Sequence, residues 1–108
     1  MERRILAAAS HYKRSYFFNN EEFPGLPVGV QAELRRLLTQ ACHHTCGVVL
    51  LGFYPDGEVF LEASGDETDF DYDEIGAKYH INALVREEAE FLRSLGLWYA
   101  FVDDNYEN

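Results

Sequence analysis

Residues 47–63 read GVVLLGFYPDGEVFLEA, and they carry the clearest structural signal in the chain. Two β-rich runs, 48–54 and 58–63, flank the turn sequence Pro55-Asp56-Gly57, which is typical of a β-hairpin. The first run lacks polar alternation, so we expect it to be covered on both faces or to lie in the centre of its sheet. Because a two-stranded ribbon is rarely stable alone, the hairpin needs a third strand, helices or a partner chain to shelter it.

Apolar residues recur at helical spacing on both sides of the hairpin, and they predict three helices. The first covers residues 2–18, the second 27–45 and the third about 72–95, with a polar connector over 19–27. Asp71 is expected to be the N-cap of the third helix, with Glu74 three residues later. Residues 97–102, LWYAFV, have the composition and length of a strand, with a continued helix as the alternative.

These elements predict one α+β domain that spans residues 1–108, because a chain of this length normally supports a single hydrophobic core. Two N-terminal helices, a β-hairpin, a long third helix and a C-terminal strand would pack with the helices on one face of a small, mostly antiparallel sheet. So few strands leave an exposed edge, and aromatic residues make up 15% of the chain. We therefore expect a homodimer.

The charge of the chain is strongly acidic, with nineteen Asp and Glu against nine Lys and Arg and a formal net charge of −10. Direct binding to nucleic acid is not expected, because it needs concentrated positive charge. Arg3, Arg4, Lys13 and Arg14 nevertheless lie within the first eighteen residues. This basic segment would lie against the acidic body of its own fold or against an acidic face of a second copy. No apolar run reaches the length of a membrane span, so we expect a cytoplasmic protein without a membrane association.

An acidic stretch over 66–74 is the first candidate site. Asp69, Asp71 and Asp73 alternate as the opening ligands of a calcium loop do, but the glycine and the final glutamate of that motif are missing. The stretch is therefore either a weaker oxygen-ligand site for Mg²⁺ or Ca²⁺, or a solvated loop whose last carboxylates cap a helix.

The segment Cys42-His43-His44-Thr45-Cys46 is the second candidate. Cys42 and Cys46 can share one face of a helix, but zinc needs four ligands, and the sequence offers no second group of ligands apart from the single residues His11 and His80. A zinc ion shared between two copies is one hypothesis, and reduced thiols in the core are the alternative. A cysteine nucleophile is not expected, because the dipole at a helix C-terminus opposes a thiolate. The chain also contains no phosphate-binding or nucleotide-binding motif, so no catalytic residue and no cofactor is predicted.

The third candidate is a partner-binding patch formed by Trp98, Tyr99 and Phe101, since Trp and Tyr dominate many interfaces. The alternative is that these side chains pack within the core of the domain.

Two stretches carry a resemblance to a known group of proteins. Residues 16–27, YFFNNEEFPGLP, and residues 72–76, YDEIG, resemble a small uncharacterised bacterial protein family of about this length. That family has no assigned function, so the resemblance implies a short, stand-alone cytosolic protein and no particular site.

The sequence thus favours a non-enzymatic, acidic, cytosolic module for protein interaction or structure, which forms a homodimer and binds an unknown protein partner. The first alternative is a divalent-metal protein that uses the acidic loop 66–74 or the Cys/His segment 42–46. The second is an acidic decoy that competes with nucleic acid for a basic partner.

Overall fold

A computed structural model describes residues 3–107 of the chain, with the side chains of residues 3–102. Its elements, in chain order, are β1 (Arg4–Ser10), β2 (Ser15–Phe18), α1 (Val28–Thr45), β3 (Val48–Phe53), β4 (Val59–Ser64), α2 (Glu74–Glu87) and α3 (Ala89–Glu107). The predicted α+β class is confirmed, but the order of helices and strands differs from the prediction.

The four strands form one antiparallel sheet in the order β2-β1-β3-β4. The predicted hairpin is β3–β4, in which Leu51 pairs with Leu61 and the amide of Gly57 donates to the carbonyl oxygen of Tyr54 at 2.9 Å. The prediction that the first run is central is also confirmed, because β3 lies between β4 and β1.

The first predicted helix is wrong. From Arg4 onward the segment forms the hairpin β1–β2, and Glu2, where the prediction began, lies outside the described residues. Alanine favours helices in isolation, but β1 is hydrogen-bonded to β2 on one side and to β3 on the other. In that position Ala7 and Ala9 are buried at the centre of the sheet, and tertiary pairing outweighs the local propensity.

The second predicted helix is confirmed as α1, and the connector before it contains neither a helix nor a strand. Pro27 stands at the N-cap without a side-chain hydrogen bond, while the side chain of Gln31 donates to the carbonyl oxygen of Leu26 at 2.7 Å. At the other end Cys46 adopts a left-handed conformation, and its amide donates to the carbonyl oxygen of Cys42.

The third predicted helix is two helices, α2 and α3, which meet at Glu88. The predicted N-cap is also wrong. Asp73, rather than Asp71, precedes α2, and its Oδ1 accepts a hydrogen bond from the amide of Gly76 at 2.9 Å. An aspartate at this position satisfies one of the amides that the first turn leaves without a partner.

The predicted C-terminal strand over 97–102 is wrong as well, because these residues continue α3. Leu92, Leu95 and Tyr99 are buried at a spacing of three and four, which is the period of a helix. Gly96 is an internal residue of α3. It lies against the β3–β4 turn, where an added Cβ would come within 3.3 Å of the carbonyl oxygen of Gly57.

One hydrophobic cluster joins the sheet to the helices. Its members come from both central strands, from all three helices and from the connector before α1: Leu6, Ala7, Ala9, Phe23, Leu26, Leu34, Leu37, Leu38, Ala41, Cys42, Val49, Leu51, Phe53, Ile81, Leu92, Leu95 and Tyr99. None of the helices among residues 3–107 combines the length and the apolar character that a bilayer crossing requires.

Candidate functional site

The predicted aromatic patch is divided between the core and the surface. Tyr99 is buried and stacks on Phe53, with ring centroids 4.2 Å apart and planes 7° apart. Its hydroxyl also accepts a hydrogen bond from Arg4 Nη1 at 3.3 Å. Trp98 is partly buried against the core, whereas Phe101 is 67% exposed. Of the three residues, only Phe101 presents most of its surface outward.

A surface groove runs beside the exposed side of α3. It has a volume of about 490 Å³, and Leu97, 64% exposed, stands on its edge one helical turn before Phe101. Most of the other side chains along it are small or apolar and come from β4, α2 and α3: Val59, Val85, Ala89, Leu92, Gly96 and Ala100. We call this feature the α3 groove.

The carboxylates of Asp69 and Asp73 in the acidic loop accept hydrogen bonds from different groups. Asp69 Oδ2 accepts a hydrogen bond from the hydroxyl of Tyr12 at 2.7 Å, and Asp69 Oδ1 accepts one from the amide of Asp71 at 3.2 Å. Asp73 instead caps α2. Two of the three carboxylates therefore hold the loop and the helix in place. The decoy hypothesis for this acidic surface stays a prediction.

The two cysteines of the Cys/His segment lie in different environments. Cys42 is buried, its thiol donates to the carbonyl oxygen of Gly47 at 3.5 Å, and burial raises the pKa of that thiol. Cys46 is exposed at the end of α1. The imidazole rings of His44 and His80 lie together, with centroids 4.8 Å apart. A raised pKa keeps the Cys42 thiol protonated at neutral pH, which makes it a poor metal ligand and nucleophile.

No group of three or more His, Cys, Asp or Glu side chains among the described residues has a geometry suited to a metal ion. The metal-binding hypotheses for Asp69, Asp71 and Asp73 and for Cys42 and Cys46 stay predictions.

A second cavity, of about 420 Å³, opens between the β1–β2 turn and α1. Arg14 and His11 line it from the turn, and Arg35 and His43 line it from α1. In the part of the chain that the structure describes, no carboxylate lines this cavity, although the chain has about twice as many acidic as basic residues. We call it the basic cavity.

Tyr16 lies beneath the guanidinium of Arg35 in the basic cavity, with the Arg35 Cζ 5.3 Å from the centre of the ring. The Tyr16 hydroxyl is buried and meets no hydrogen-bond partner within the described residues. Burial raises the pKa of this hydroxyl, and the charge of Arg35 opposes the rise. The hydroxyl is therefore a protonated donor at neutral pH.

The basic cavity was not predicted from the sequence, because the hairpin that brings its two sides together was predicted as a helix. The available signal was the polar stretch HYKR at 11–14 between two runs of strand-forming length, combined with the excess of basic residues in the first eighteen. Read as a turn, that stretch places His11 and Arg14 at the first and last positions of the connection between two paired strands.

The chain matches no curated protein and no solved structure. A family model, described as a family of unknown function, matches residues 3–106, which is nearly the whole chain. The chain therefore belongs to DUF6145, a family of unknown function.

Proposed function

We propose that the protein is a non-enzymatic interaction module that pairs with a second copy of itself through α3. The observation that carries this proposal is the exposure of Leu97 and Phe101, which are 64% and 67% exposed and one turn apart on the helix. Contiguous apolar surface of this kind is typical of protein–protein interaction sites.

Leu97 and Phe101 form an exposed ridge on α3. The α3 groove offers this ridge a complementary surface. Val85 and Ala89 form part of its wall, and Gly96, which lies against the β3–β4 turn at Gly57, also lines it. A leucine or phenylalanine side chain that enters such a groove loses most of its contact with water, at a gain of about 25 cal/mol for each Å² that is buried.

A second copy is the occupant that the groove fits best. Ridge and groove belong to the same surface, so a two-fold arrangement lets the ridge of each copy fill the groove of the other. The charges along the groove support this arrangement. Arg93 makes no ion pair within the described residues, while Asp56 and Glu58 line the same groove. Across a two-fold axis, Arg93 of one copy would approach the carboxylates of the other.

Light scattering of the full chain tests the pairing. We expect the mass to approach twice that of one chain at about 100 µM, a concentration at which even a weak specific complex forms. Leu97→Asp places a charge in the interface and is expected to weaken pairing roughly tenfold or more, as truncation of a central contact does.

Ile75→Asp is the matched control, because Ile75 is 85% exposed on α2 and does not line the α3 groove. This variant should pair as the wild type does. A wild-type chain that stays monomeric, or two variants that lose pairing equally, would contradict the proposal.

We further infer that the helices cover one face of the sheet. Ala7 pairs with Leu51, which pairs with Leu61, so that all three side chains share a face. Ala7 and Leu51 belong to the hydrophobic cluster that includes the helix residues, and Leu61 packs against it. Exchange of backbone amides tests this arrangement, since it predicts the slowest exchange in β1 and β3.

We propose the cytoplasm as the compartment. Both cysteines are free thiols, and free thiols persist where the surroundings are reducing. Fractionation of the producing cells, with detection of the chain in each fraction, tests this assignment. Recovery of the chain mainly outside the cytoplasm would contradict it.

A further inference from the structure

We propose that the basic cavity binds the phosphate group of a small phosphomonoester. This site is separate from the α3 groove and does not depend on the pairing of two copies. It rests on the charge of the lining, on the absence of ion pairs at its arginines within the described residues, and on a buried hydroxyl that has no partner there.

Four of the seven arginines of the chain make no ion pair within the described residues, and two of these four, Arg14 and Arg35, line the basic cavity. Arg3, Arg4 and Arg36 each pair with a glutamate. In the part of the chain that the structure describes, neither Arg14 nor Arg35 makes an ion pair. In so acidic a chain, a site that keeps two guanidinium groups away from carboxylates favours an anion from outside the chain.

The donors of the cavity suit a phosphate group. Guanidinium groups present paired N–H donors that match phosphate oxygens, and the side chains of His11 and His43 add ring N–H donors. The Ser10 oxygen accepts a hydrogen bond from the amide of Lys13 at 3.2 Å, which leaves its O–H free to donate. A phosphate has enough acceptor oxygens for several of these donors at once, whereas a carboxylate has only two oxygens.

A further observation points to a ligand. A buried hydroxyl without a partner costs free energy, and an acceptor oxygen that reached Tyr16 would remove that cost. Arg14 has a φ of 49°, the left-handed conformation in which many hairpin turns end, and this turn places Arg14 at the cavity.

The size of the cavity and the charge of the chain favour a small ligand. A volume of about 420 Å³ lies within the range of small-molecule sites. A nucleic acid would extend over the rest of a surface whose net charge is −10 and would be repelled there. The compact dianion of a phosphomonoester needs only the cavity itself.

Calorimetric titration of the full chain tests the proposal with phenyl phosphate, inorganic phosphate and benzoate. We expect saturable binding of phenyl phosphate, weaker binding of inorganic phosphate, and binding of benzoate at least tenfold weaker than that of phenyl phosphate. Arg14→Ala should weaken the binding of phenyl phosphate roughly tenfold or more, because hydrogen bonds from charged groups are lost.

Two further variants make the test specific. Arg35→Lys keeps the charge but removes the paired donors, and it should also weaken binding several-fold. Arg86→Ala is the control, because Arg86 is an exposed residue of α2 that does not line the cavity. It should bind as the wild type does. Unchanged unfolding temperatures would show that each variant is folded.

Four results would overturn the proposal. The first is the absence of saturable binding of phenyl phosphate, and the second is an affinity for benzoate equal to that for phenyl phosphate. The third is an affinity for phenyl phosphate that neither Arg14→Ala nor Arg35→Lys changes. The fourth is tighter binding of a single-stranded oligonucleotide or a phosphopeptide than of any small phosphate. The last result would assign the cavity to a macromolecule.

Discussion

Asp73 controls the start of α2 through one hydrogen bond, from the amide of Gly76 to its carboxylate. Asp73→Ala is therefore expected to lower the free energy of unfolding by about 1 kcal/mol, the usual effect of losing a helix cap. Urea denaturation measures the change.

Asp71→Ala is the control, because Asp71 caps no helix and its described hydrogen bond uses the backbone amide. Its stability should remain close to that of the wild type. The same pair of variants bears on the metal hypothesis. If the three aspartates bound Ca²⁺ or Mg²⁺ together, both variants would lose a stabilisation that depends on the metal.

Glu22 ties the connector before α1 to β1. The Asn19 side chain donates to Glu22 Oε2 at 2.7 Å, and Arg4 Nη2 donates to Glu22 Oε1 at 3.2 Å. The hydrogen bond from Asn19 and then that from Arg4 hold the pKa of this carboxyl below its ordinary value of 4.5. Its contribution to stability is therefore complete above pH 4.5 and is lost as the pH falls through the lowered pKa.

Glu22→Gln tests this pH dependence. At pH 7 we expect the variant to be less stable by about 0.5 kcal/mol, since the ion pair is half-exposed. The difference should shrink towards zero at acid pH, as measured by denaturation at several pH values. Glu21→Gln is the control, because Glu21 makes no ion pair within the described residues. A difference for Glu22→Gln that grows as the pH falls would contradict this account.

At the scale of the element, the sequence predicted those segments in which local and tertiary preferences agree. The β3–β4 hairpin and α1 were predicted because their periodicity and their turn or end residues are consistent. The β1 strand was not predicted, because its alanines favour a helix, and only its pairing with β2 and β3 makes it a strand. The basic cavity depends on the β1–β2 hairpin, so it was not predicted either.

For residues 97–102 the error was the opposite one, because a strand was predicted where the structure has a helix. Aromatic composition indicated a strand over 97–102, although the series Leu92, Leu95 and Tyr99 continues the helical period. A strand would place Leu97, Tyr99 and Phe101 on one face, whereas the helix buries only Tyr99 of the three. The helix also divides the predicted patch, because Trp98 and Tyr99 pack against the core while Phe101 is 67% exposed.

Alanine substitutions on α3 distinguish these geometries. Tyr99→Ala is expected to lower the free energy of unfolding by about 3 kcal/mol, because it removes a buried ring that stacks on Phe53. Leu97→Ala should change it by less than about 0.5 kcal/mol in the monomer, because Leu97 is exposed. Denaturation at low protein concentration measures both. Equal losses would indicate that the two side chains share a face.

At the scale of the whole molecule, two of the surface cavities are lined by charges of opposite sign. Asp66, Glu67, Asp69, Asp73 and Glu74 line one surface cavity, whereas the basic cavity contains no described carboxylate. The molecule therefore combines a local positive site with a net charge of −10.

This net charge affects the proposed pairing. Two copies with a charge of −10 each repel one another, and salt screens that repulsion over about 10 Å at 0.1 M. Pairing should therefore become tighter when the salt concentration rises from about 0.01 M to about 0.1 M. Sedimentation equilibrium measures the dissociation constant. Pairing that weakens steeply with salt would contradict an interface that is mainly apolar.

Nuclear Overhauser effects between copies test the proposed interface most directly. In a sample that mixes isotope-labelled and unlabelled chains, an isotope-filtered spectrum reports only contacts between different copies. We expect cross-peaks between the methyl groups of Leu97 in one copy and those of Val85 and Ala89 in the other, since these residues line the α3 groove. A paired protein without these cross-peaks, or with contacts through another surface, would contradict it.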